Sequence, residues 1–243
     1  MTVDRRLDWD GSFNVRDLGG LPTVDGRETR WGAVVRSEAP DLLTADGWSA
    51  LHAHGIRTII DLRNDDELTR DVQRPAGLDI VRRPLDAAED AEFWDRWATG
   101  GQYGTPLYYR PFLDSFPYRI ADVLGAVAHA RPGGVLVHCA AGRDRTGLIT
   151  LLVLVLALVG VSAEDIAADY ALSASGLAPL FTLLGQQDPG PMIDEYLARG
   201  GTSVREVIIS LLGSLDVDAY LRTAGLGDED FAAIRARLLS PAT

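Results

Sequence analysis

Short apolar segments alternate with longer helical patterns along the first two thirds of the chain. The segments that predict strands are rich in apolar and β-branched residues, at residues 31–36, 57–63, 79–85 and 134–138. Helical patterns separate them, at residues 45–54 and, with interruptions near residues 100–106 and at Pro117, at residues 90–130. Thr44 can cap the first of these helices. This alternation predicts an α/β fold in which helices flank a central, mainly parallel sheet.

The last third of the chain has an almost continuous helical pattern from Ala163 onward. Three positions have the spacing of helix caps, namely Ser162 with Asp165, Ser203 with Glu206, and Asp228. Residues 185–191 predict a loop or hinge. The same region has an apolar patch that consists of Leu177, Leu180, Phe181, Leu183 and Leu184. The patch is equally consistent with ordinary helix packing and with a mobile lid over a pocket.

Charge and composition narrow the range of partners. The chain has 243 residues and a formal net charge of −12, and all 23 basic residues are arginine. An acidic chain is a poor bulk partner for nucleic acid, but a local group of arginines can still bind a small phosphorylated molecule. The most apolar run, residues 148–161, is shorter than the roughly 20 residues that span a bilayer. We therefore expect it to be a buried core helix, and we expect no membrane span.

The strongest chemical signal is the segment HCAAGRDRTG at residues 138–147, between a predicted strand and the apolar helix. Backbone N–H groups at such a turn bind anions, and Arg145 can bind two phosphate oxygens. A cysteine near a helix N-terminus and cations is prone to react as a thiolate. A buried structural cysteine is the alternative, but it would not require these polar neighbours. The segment predicts that Cys139 is a nucleophile that takes up a phosphoryl group.

This segment resembles the signature loop of the cysteine-dependent phosphatase superfamily. The acidic residue before Arg145 makes it similar to the atypical bacterial tyrosine and lipid phosphatases, a group with a mycobacterial member. Further motifs of that group are similar to NVRDLGG at residues 14–20, Arg36-Ser37, Asp61-Leu62-Arg63 and DYALS at residues 169–173. The group usually has lysine where this chain has Arg143.

The resemblance implies a protein tyrosine phosphatase-like fold and a phosphomonoester hydrolase. Phosphotyrosine is the first expected substrate, followed by phosphoinositides and other small phosphorylated molecules, with inorganic phosphate as a product. We expect one domain over residues 1–243. A catalytic core would occupy about residues 1–175, and the helical part at about 176–243 would be its cover or lid.

The expected catalytic groups are Cys139, Arg145 and Asp144. Asp144 is the expected general acid, although it could instead orient Arg143 or stabilise the helix N-terminus. Asp61 is its rival, and Asp86 and Asp90 are more remote candidates. Substrate contacts are expected from Ala140, Ala141, Gly142, Arg143 and Thr146.

Other residues are expected to support the loop. His138 would orient it through hydrogen bonds. Arg16, Arg36 and Arg63 would either contact substrate or, as we favour, pair with carboxylates such as Asp61 and brace it. No histidine or cysteine spacing is typical of a metal site, and we expect no cofactor.

Two other classes of protein stay open as alternatives. A rhodanese-like sulfurtransferase would carry a persulfide on Cys139, but such loops usually lack the Asp-Arg-Thr-Gly ending; thiocyanate production would identify it. A non-catalytic phosphoresidue-binding module typically lacks the cysteine or the arginine, and would bind without turnover.

The cysteine count bears on location. With one cysteine no intramolecular disulfide can form, and the N-terminus has no apolar signal-peptide core. We expect a cytoplasmic location, with export that needs no signal peptide as the alternative.

Overall fold

One mixed sheet forms the centre of the structure. In the computed structural model, which describes residues 4–68, 70, 72–99, 102–155 and 160–239, the strands pair in the order β1-β2-β5-β3-β4. They are β1 (Arg16–Asp17), β2 (Val34–Ser37), β3 (Ile56–Asp61), β4 (Asp79–Arg82) and β5 (Gly134–His138). β1 is antiparallel to β2, and all other neighbours are parallel. The predicted α/β fold with a mainly parallel sheet is confirmed.

Helices cover both faces of this sheet. Within the described ranges they are α1 (Ala45–Ala53), α2 (Ala91–Thr99), α3 (Tyr109–Ser115), α4 (Pro117–Ala128), α5 (Asp144–Val155), α6 (Ala163–Leu184), α7 (Gly190–Arg199), α8 (Val204–Ser214), α9 (Val217–Ala224) and α10 (Asp228–Leu238). In β5, Val135 and Val137 belong to the apolar cluster that includes α4 and α5, whereas Leu136 belongs to the cluster of Trp48 and Leu51 in α1. Successive side chains of a strand point to opposite faces, so the sheet is buried on both sides.

Local signals place several element ends correctly. β5 has the predicted bounds. Thr44 caps α1 by accepting a hydrogen bond from the N–H of Gly47 at 3.2 Å. Ser162 and Ser203 cap α6 and α8 through side-chain oxygens that accept backbone N–H groups. These caps form within one turn of chain, which is why sequence alone reveals them.

Other ends differ from the prediction. β4 ends at Arg82, before the predicted limit, because Pro84 has no N–H to donate to a sheet. β2 and β3 are displaced by a few residues, and α5 begins at Asp144, before the apolar run at residues 148–161. The edge strand β1 was not predicted, since its two residues are held by pairing with β2. Residues 100–101 of the predicted interruption and residues 156–159 of the predicted apolar helix lie outside the described residues.

The C-terminal third packs on the same core. α6 packs against α5 and α8, and α4 packs against α9 and α10. Leu177 and Leu180 of the apolar patch are buried, while Leu183 is 62% exposed. The loop before α7 ends at Pro189, and the N-cap of α10 is Gly227 instead of the predicted Asp228. The single-domain organisation and the mobile lid stay predictions.

Of the helices in the described residues, α6 has the length and composition of a membrane-spanning segment, with 22 residues and a mean hydropathy of 1.2. However, 44% of its most apolar window is buried inside the protein. Asp169 on this helix pairs with buried arginines. These contacts are typical of a core helix, and the expectation of no membrane span stays a prediction.

Candidate active site

The loop at residues 139–143 lies at the carboxyl edge of the central strand β5. In the sheet register, His138 at the end of β5 is paired with Ser37 of β2 on one side and with Asp61 of β3 on the other. The loop is therefore flanked by the chain segments that leave two neighbouring parallel strands. This edge is where ligands bind in open α/β sheets.

The scaffold holds this loop through its carbonyl oxygens. Each of the first four accepts a hydrogen bond from outside the loop: Cys139 O from His138 Nδ1 at 3.0 Å, Ala140 O from Ala39 N at 2.9 Å, Ala141 O from Asn14 Nδ2 at 2.9 Å, and Gly142 O from Arg36 Nη2 at 2.9 Å. Carbonyls that are bound on the outside leave the backbone N–H groups free to form an anion-binding nest inside. One of these groups, the N–H of Gly142, donates to Cys139 Sγ at 3.3 Å.

Gly142 is required at its position for two reasons. Its φ is +69°, a left-handed conformation that side chains rarely adopt. A Cβ atom there would also lie 2.2 Å from the carbonyl oxygen of Ser37. The close approach of the loop to the end of β2 therefore depends on glycine.

The remaining predicted substrate contacts differ in their exposure. Ala140 is exposed and Ala141 is half-buried, whereas Thr146 is fully buried. The hydroxyl of Thr146 makes no hydrogen bond to the described residues.

Arg145 is held by two carboxylates. Its Nη2 donates to Glu67 Oε1 at 2.6 Å, and its Nη1 lies 3.2 Å from Asp86 Oδ2. Burial by itself lowers the pKa of Arg145, but Glu67, Cys139 and Asp86 outweigh it and raise the pKa well above its ordinary value. The guanidinium is charged, and Glu67 contacts both of its terminal nitrogens. Two oxygens of a phosphate could bind the same fork.

Asp144 is held on the other side of the loop. Its carboxylate lies 3.2 Å from Arg143 Nη2 and accepts a hydrogen bond from the hydroxyl of Tyr170 at 3.0 Å. Its carbonyl oxygen accepts another from the hydroxyl of Tyr109 at 3.0 Å. Arg143 also donates to Gly104 O at 3.4 Å. Arg143 and Asp144 thus bind each other, the pairing that sequence analysis offered as the alternative to an acid role.

Asp86 follows β4 and lies close to Arg145. Burial, assisted by the charges of Glu67 and Asp144 and opposed by that of Arg145, raises the pKa of Asp86 to about 6. The flanking residues Leu85 and Ala87 are 1% and 0% exposed, so the backbone at this point is anchored in the core. From sequence, Asp86 was a more remote candidate than Asp144 and Asp61, and the structure brings it beside Arg145, the predicted phosphate-binding residue.

His138, Asp61 and Arg63 form a buried group beneath the loop. Arg63 Nη2 donates to Asp61 Oδ2 at 2.8 Å, and His138 Nε2 lies 3.7 Å from the same oxygen. Burial raises the pKa of Asp61, but the hydrogen bonds from Arg63 and the charge of His138 prevail, and the net pKa is below its ordinary value. Burial lowers the pKa of His138. Asp61 is thus an ionised carboxylate with its donors already in place.

Asp169 is the centre of a second buried group. Its carboxylate lies 2.7 Å from Arg5, 3.2 Å from Arg16 and 2.9 Å from Arg36. Burial raises the pKa of Asp169, but the three arginines outweigh it, and the net pKa lies well below the ordinary range. Because Arg36 also binds Gly142 O, this group links α6 to the loop.

Comparison with known proteins places the chain in a family. A family model described as the tyrosine phosphatase family matches residues 7–240. The chain belongs to the tyrosine phosphatase family. This confirms the resemblance found in the loop and its accompanying motifs.

Several members of the tyrosine phosphatase family align with the chain. A Cupriavidus necator protein provisionally named a tyrosine-protein phosphatase is 31% identical over 170 residues, which cover 68% of this chain but only 61% of that protein. A tyrosine-protein phosphatase of Nostoc commune is 29% identical over 85% of this chain and 74% of its own length. The triple specificity protein phosphatase PtpB of Mycobacterium tuberculosis is 27% identical over 94% of this chain and 97% of its own length.

A solved structure of Pseudomonas aeruginosa TpbA in complex with phosphotyrosine, a cysteine-to-serine variant, also resembles the chain. It has a TM-score of 0.41 and 15% identity, and the match covers 80% of this chain and 86% of that one.

Several residues of the candidate site were not predicted from sequence. Glu67 and Tyr109 lie in segments without a motif and reach the loop only through the fold. Asp169 and Tyr170 lie in a motif that was noted but given no role. A signal for Asp169 was available, because it falls three positions after Ile166 on the buried side of α6, where a charged residue needs a partner.

Among the residues that the structure describes, no group of three or more His, Cys, Asp and Glu side chains is placed to hold a metal ion.

Proposed function

We propose that the chain hydrolyses phosphomonoesters, mainly phosphotyrosine in proteins, through a phospho-cysteine intermediate on Cys139. The observation that carries this proposal is the loop itself: Cys139 Sγ accepts the N–H of Gly142 at 3.3 Å, inside a loop whose carbonyls are bound outward. Arg145, six residues along the same loop and helix start, presents a charged guanidinium fork to the same edge of the sheet.

The chemistry follows from these positions. The thiolate of Cys139 would attack phosphorus, so that an S–P bond forms while the P–O ester bond breaks and the departing oxygen takes a proton. Water would then attack phosphorus, breaking the S–P bond, releasing inorganic phosphate and returning a proton to the acid. Arg145 and the inward N–H groups of the loop would bind the phosphoryl oxygens, on which negative charge is spread in the transition state.

The substrate class rests on the relatives. Two of them are named tyrosine-protein phosphatases and a third is named a triple specificity phosphatase. We propose phosphotyrosine as the first substrate, and phosphoinositides and other small phosphorylated molecules as further ones. We also propose that the reaction needs no metal or cofactor, and that it takes place in the cytoplasm, where the thiol of Cys139 stays reduced.

The test is hydrolysis of para-nitrophenyl phosphate and of a phosphotyrosyl peptide, with chelator present. Wild type should turn over, and Cys139→Ser should be inactive because an alcohol is a weak nucleophile without a base. Arg145→Lys should lose at least about 100-fold in kcat/KM, since an ammonium cannot form the two-pronged contact. Arg110→Lys, which changes an arginine paired with Asp114 on the surface of α3, is the matched control and should be unaffected.

Each outcome assigns the protein to one class. Residual activity of Cys139→Ser near that of wild type would rule out the phospho-cysteine route. Phosphopeptide binding without turnover would favour the binding module, and thiocyanate from thiosulfate and cyanide would favour the sulfurtransferase. A faster reaction with phosphoinositide than with phosphotyrosyl peptide would overturn the proposed order of substrates.

A further inference from the structure

The protonation of the departing oxygen needs an acid, and three aspartates lie near the loop. An effective general acid carries its proton at working pH and lies within reach of the departing oxygen. Proximity to the phosphate-binding group and freedom from competing donors therefore distinguish the candidates.

The carboxylates of Asp144 and Asp61 both have hydrogen-bond donors already in place. The carboxylate of Asp144 accepts from the guanidinium of Arg143 and from the hydroxyl of Tyr170, at the first position of α5, where a negative charge is stabilised. Asp61 accepts from the side chain and the N–H of Arg63 and is 1% exposed. Neither carboxylate is therefore free of competing donors.

Asp86 differs from both in the group that faces it. Its near cationic neighbour is Arg145, at 3.2 Å, the residue that a bound phosphate would engage. Its side chain is 16% exposed, so the carboxyl group is not sealed in the core. The buried residues on either side of it, Leu85 and Ala87, hold its backbone in place.

We propose, on the basis of the phospho-cysteine function argued above, that Asp86 is the catalytic general acid of this site. Its carboxyl group donates the proton to the ester oxygen as the P–O bond breaks, which leaves a carboxylate. That carboxylate then takes a proton from the water that attacks phosphorus as the S–P bond breaks, and Asp86 is restored.

Burial favours the protonated form of Asp86, against the charge of Arg145. Burial raises its pKa to about 6 before any substrate is present. A bound phosphate dianion adds negative charge and draws on the guanidinium of Arg145, and both effects raise this pKa further. The charged and titratable groups that face Asp86 are Arg145, Glu67, Asp144, Arg119, Tyr103 and Tyr108.

The experiment compares Asp86→Asn and Asp144→Asn on aryl phosphates whose leaving groups range from phenol to dinitrophenol. General acid catalysis contributes about 100- to 10,000-fold when the departing oxygen is basic. Asp86→Asn should lose about 100-fold or more in kcat with phenyl phosphate, and less than about tenfold with dinitrophenyl phosphate. In wild type kcat should fall as the pH rises and Asp86 ionises, and in Asp86→Asn this fall should be absent. Asp114→Asn, on the exposed side of α3, is the control and should match wild type.

The outcomes separate this assignment from the function on which it rests. Suppose that Cys139→Ser is inactive. Asp86 is then not the acid if Asp86→Asn loses activity equally with every leaving group, or if Asp144→Asn is the variant whose loss depends on the leaving group. If Cys139→Ser is as active as wild type, the phospho-cysteine route and the role of Asp86 are both wrong. If Asp86→Asn does not fold, Asp86→Glu, which keeps an acid one methylene further out, takes its place. Its loss of kcat should be smaller and should again be greatest with phenyl phosphate; an equal loss with every leaving group would overturn the assignment.

Discussion

Replacing Asp169 with asparagine would leave three arginines around an uncharged amide. The carboxylate is 1% exposed, and Arg16 and Arg36 are 1% and 2% exposed, so water cannot replace the lost charge. Burial, together with repulsion from Arg36, already lowers the pKa of Arg16 to about 10 with the carboxylate present. The variant therefore exposes a repulsion that Asp169 offsets in the wild type.

The magnitude follows from the partners that stay and those that are lost. Removing one member of a buried ion pair costs about 3–5 kcal/mol. Arg16 keeps hydrogen bonds to Asn14 and Ser173, and Arg36 keeps Gly142 O, so we expect the lower part of this range. A loss of about 3 kcal/mol is a large share of the roughly 5–15 kcal/mol that stabilises a protein domain. It would lower the Tm by about 6–12 °C.

The assay is urea unfolding followed by tryptophan fluorescence, together with kcat for para-nitrophenyl phosphate. Because Arg36 connects Asp169 to the loop, kcat should fall about 10- to 100-fold even below the transition. Asp114→Asn makes the same chemical change in an exposed pair with Arg110, and should change the free energy of unfolding by less than about 1 kcal/mol.

The pH dependence has a definite sign. The pKa of Asp169 is depressed in the folded protein, so its contribution is present above the unfolded value of about 3.9 and is lost as pH falls through the folded value. The difference in free energy of unfolding between wild type and variant should be full at pH 7 and smaller at pH 3. A variant that unfolds within about 1 kcal/mol of wild type at pH 7, with normal kcat, would refute this account of the arginine group.

Three further changes test other parts of the site. Glu67→Gln should lower KM and the inhibition constant of inorganic phosphate about three- to tenfold, since a carboxylate no longer competes for Arg145; steady-state kinetics measures this, and a raised KM would contradict it. Gly142→Ala should abolish most activity and lower the free energy of unfolding in urea by about 1–3 kcal/mol or more, because the new Cβ meets a positive φ and the carbonyl oxygen of Ser37. The control Gly213→Ala in α8, where a Cβ meets nothing within 4 Å, should leave the protein as stable as wild type. Brief peroxide treatment should inactivate the enzyme and dithiothreitol should restore it; loss that thiol cannot reverse would count against a sulfenic acid on Cys139.

The parts of the site that are contiguous in sequence could be predicted from sequence. The strand Gly134–His138, the glycine loop and the apolar helix follow one another without interruption, and each has a local cause: β-branched residues, a glycine in a left-handed conformation, and an acidic first helical turn. The same holds for the caps at Thr44, Ser162 and Ser203. Their energies depend on neighbours within a few residues, so the pattern of residues is sufficient.

The surroundings of the loop were decided by tertiary structure. Glu67 and Asp86 meet at Arg145 although they come from different segments, and Asp169 binds Arg16 and Arg36 across 153 and 133 residues of chain. The chain contains many carboxylates and many arginines, and the sequence alone does not show which of them form ion pairs. The choice is made by strand order and helix packing, because a buried charge is tolerated only where the fold brings its partner within hydrogen-bond distance.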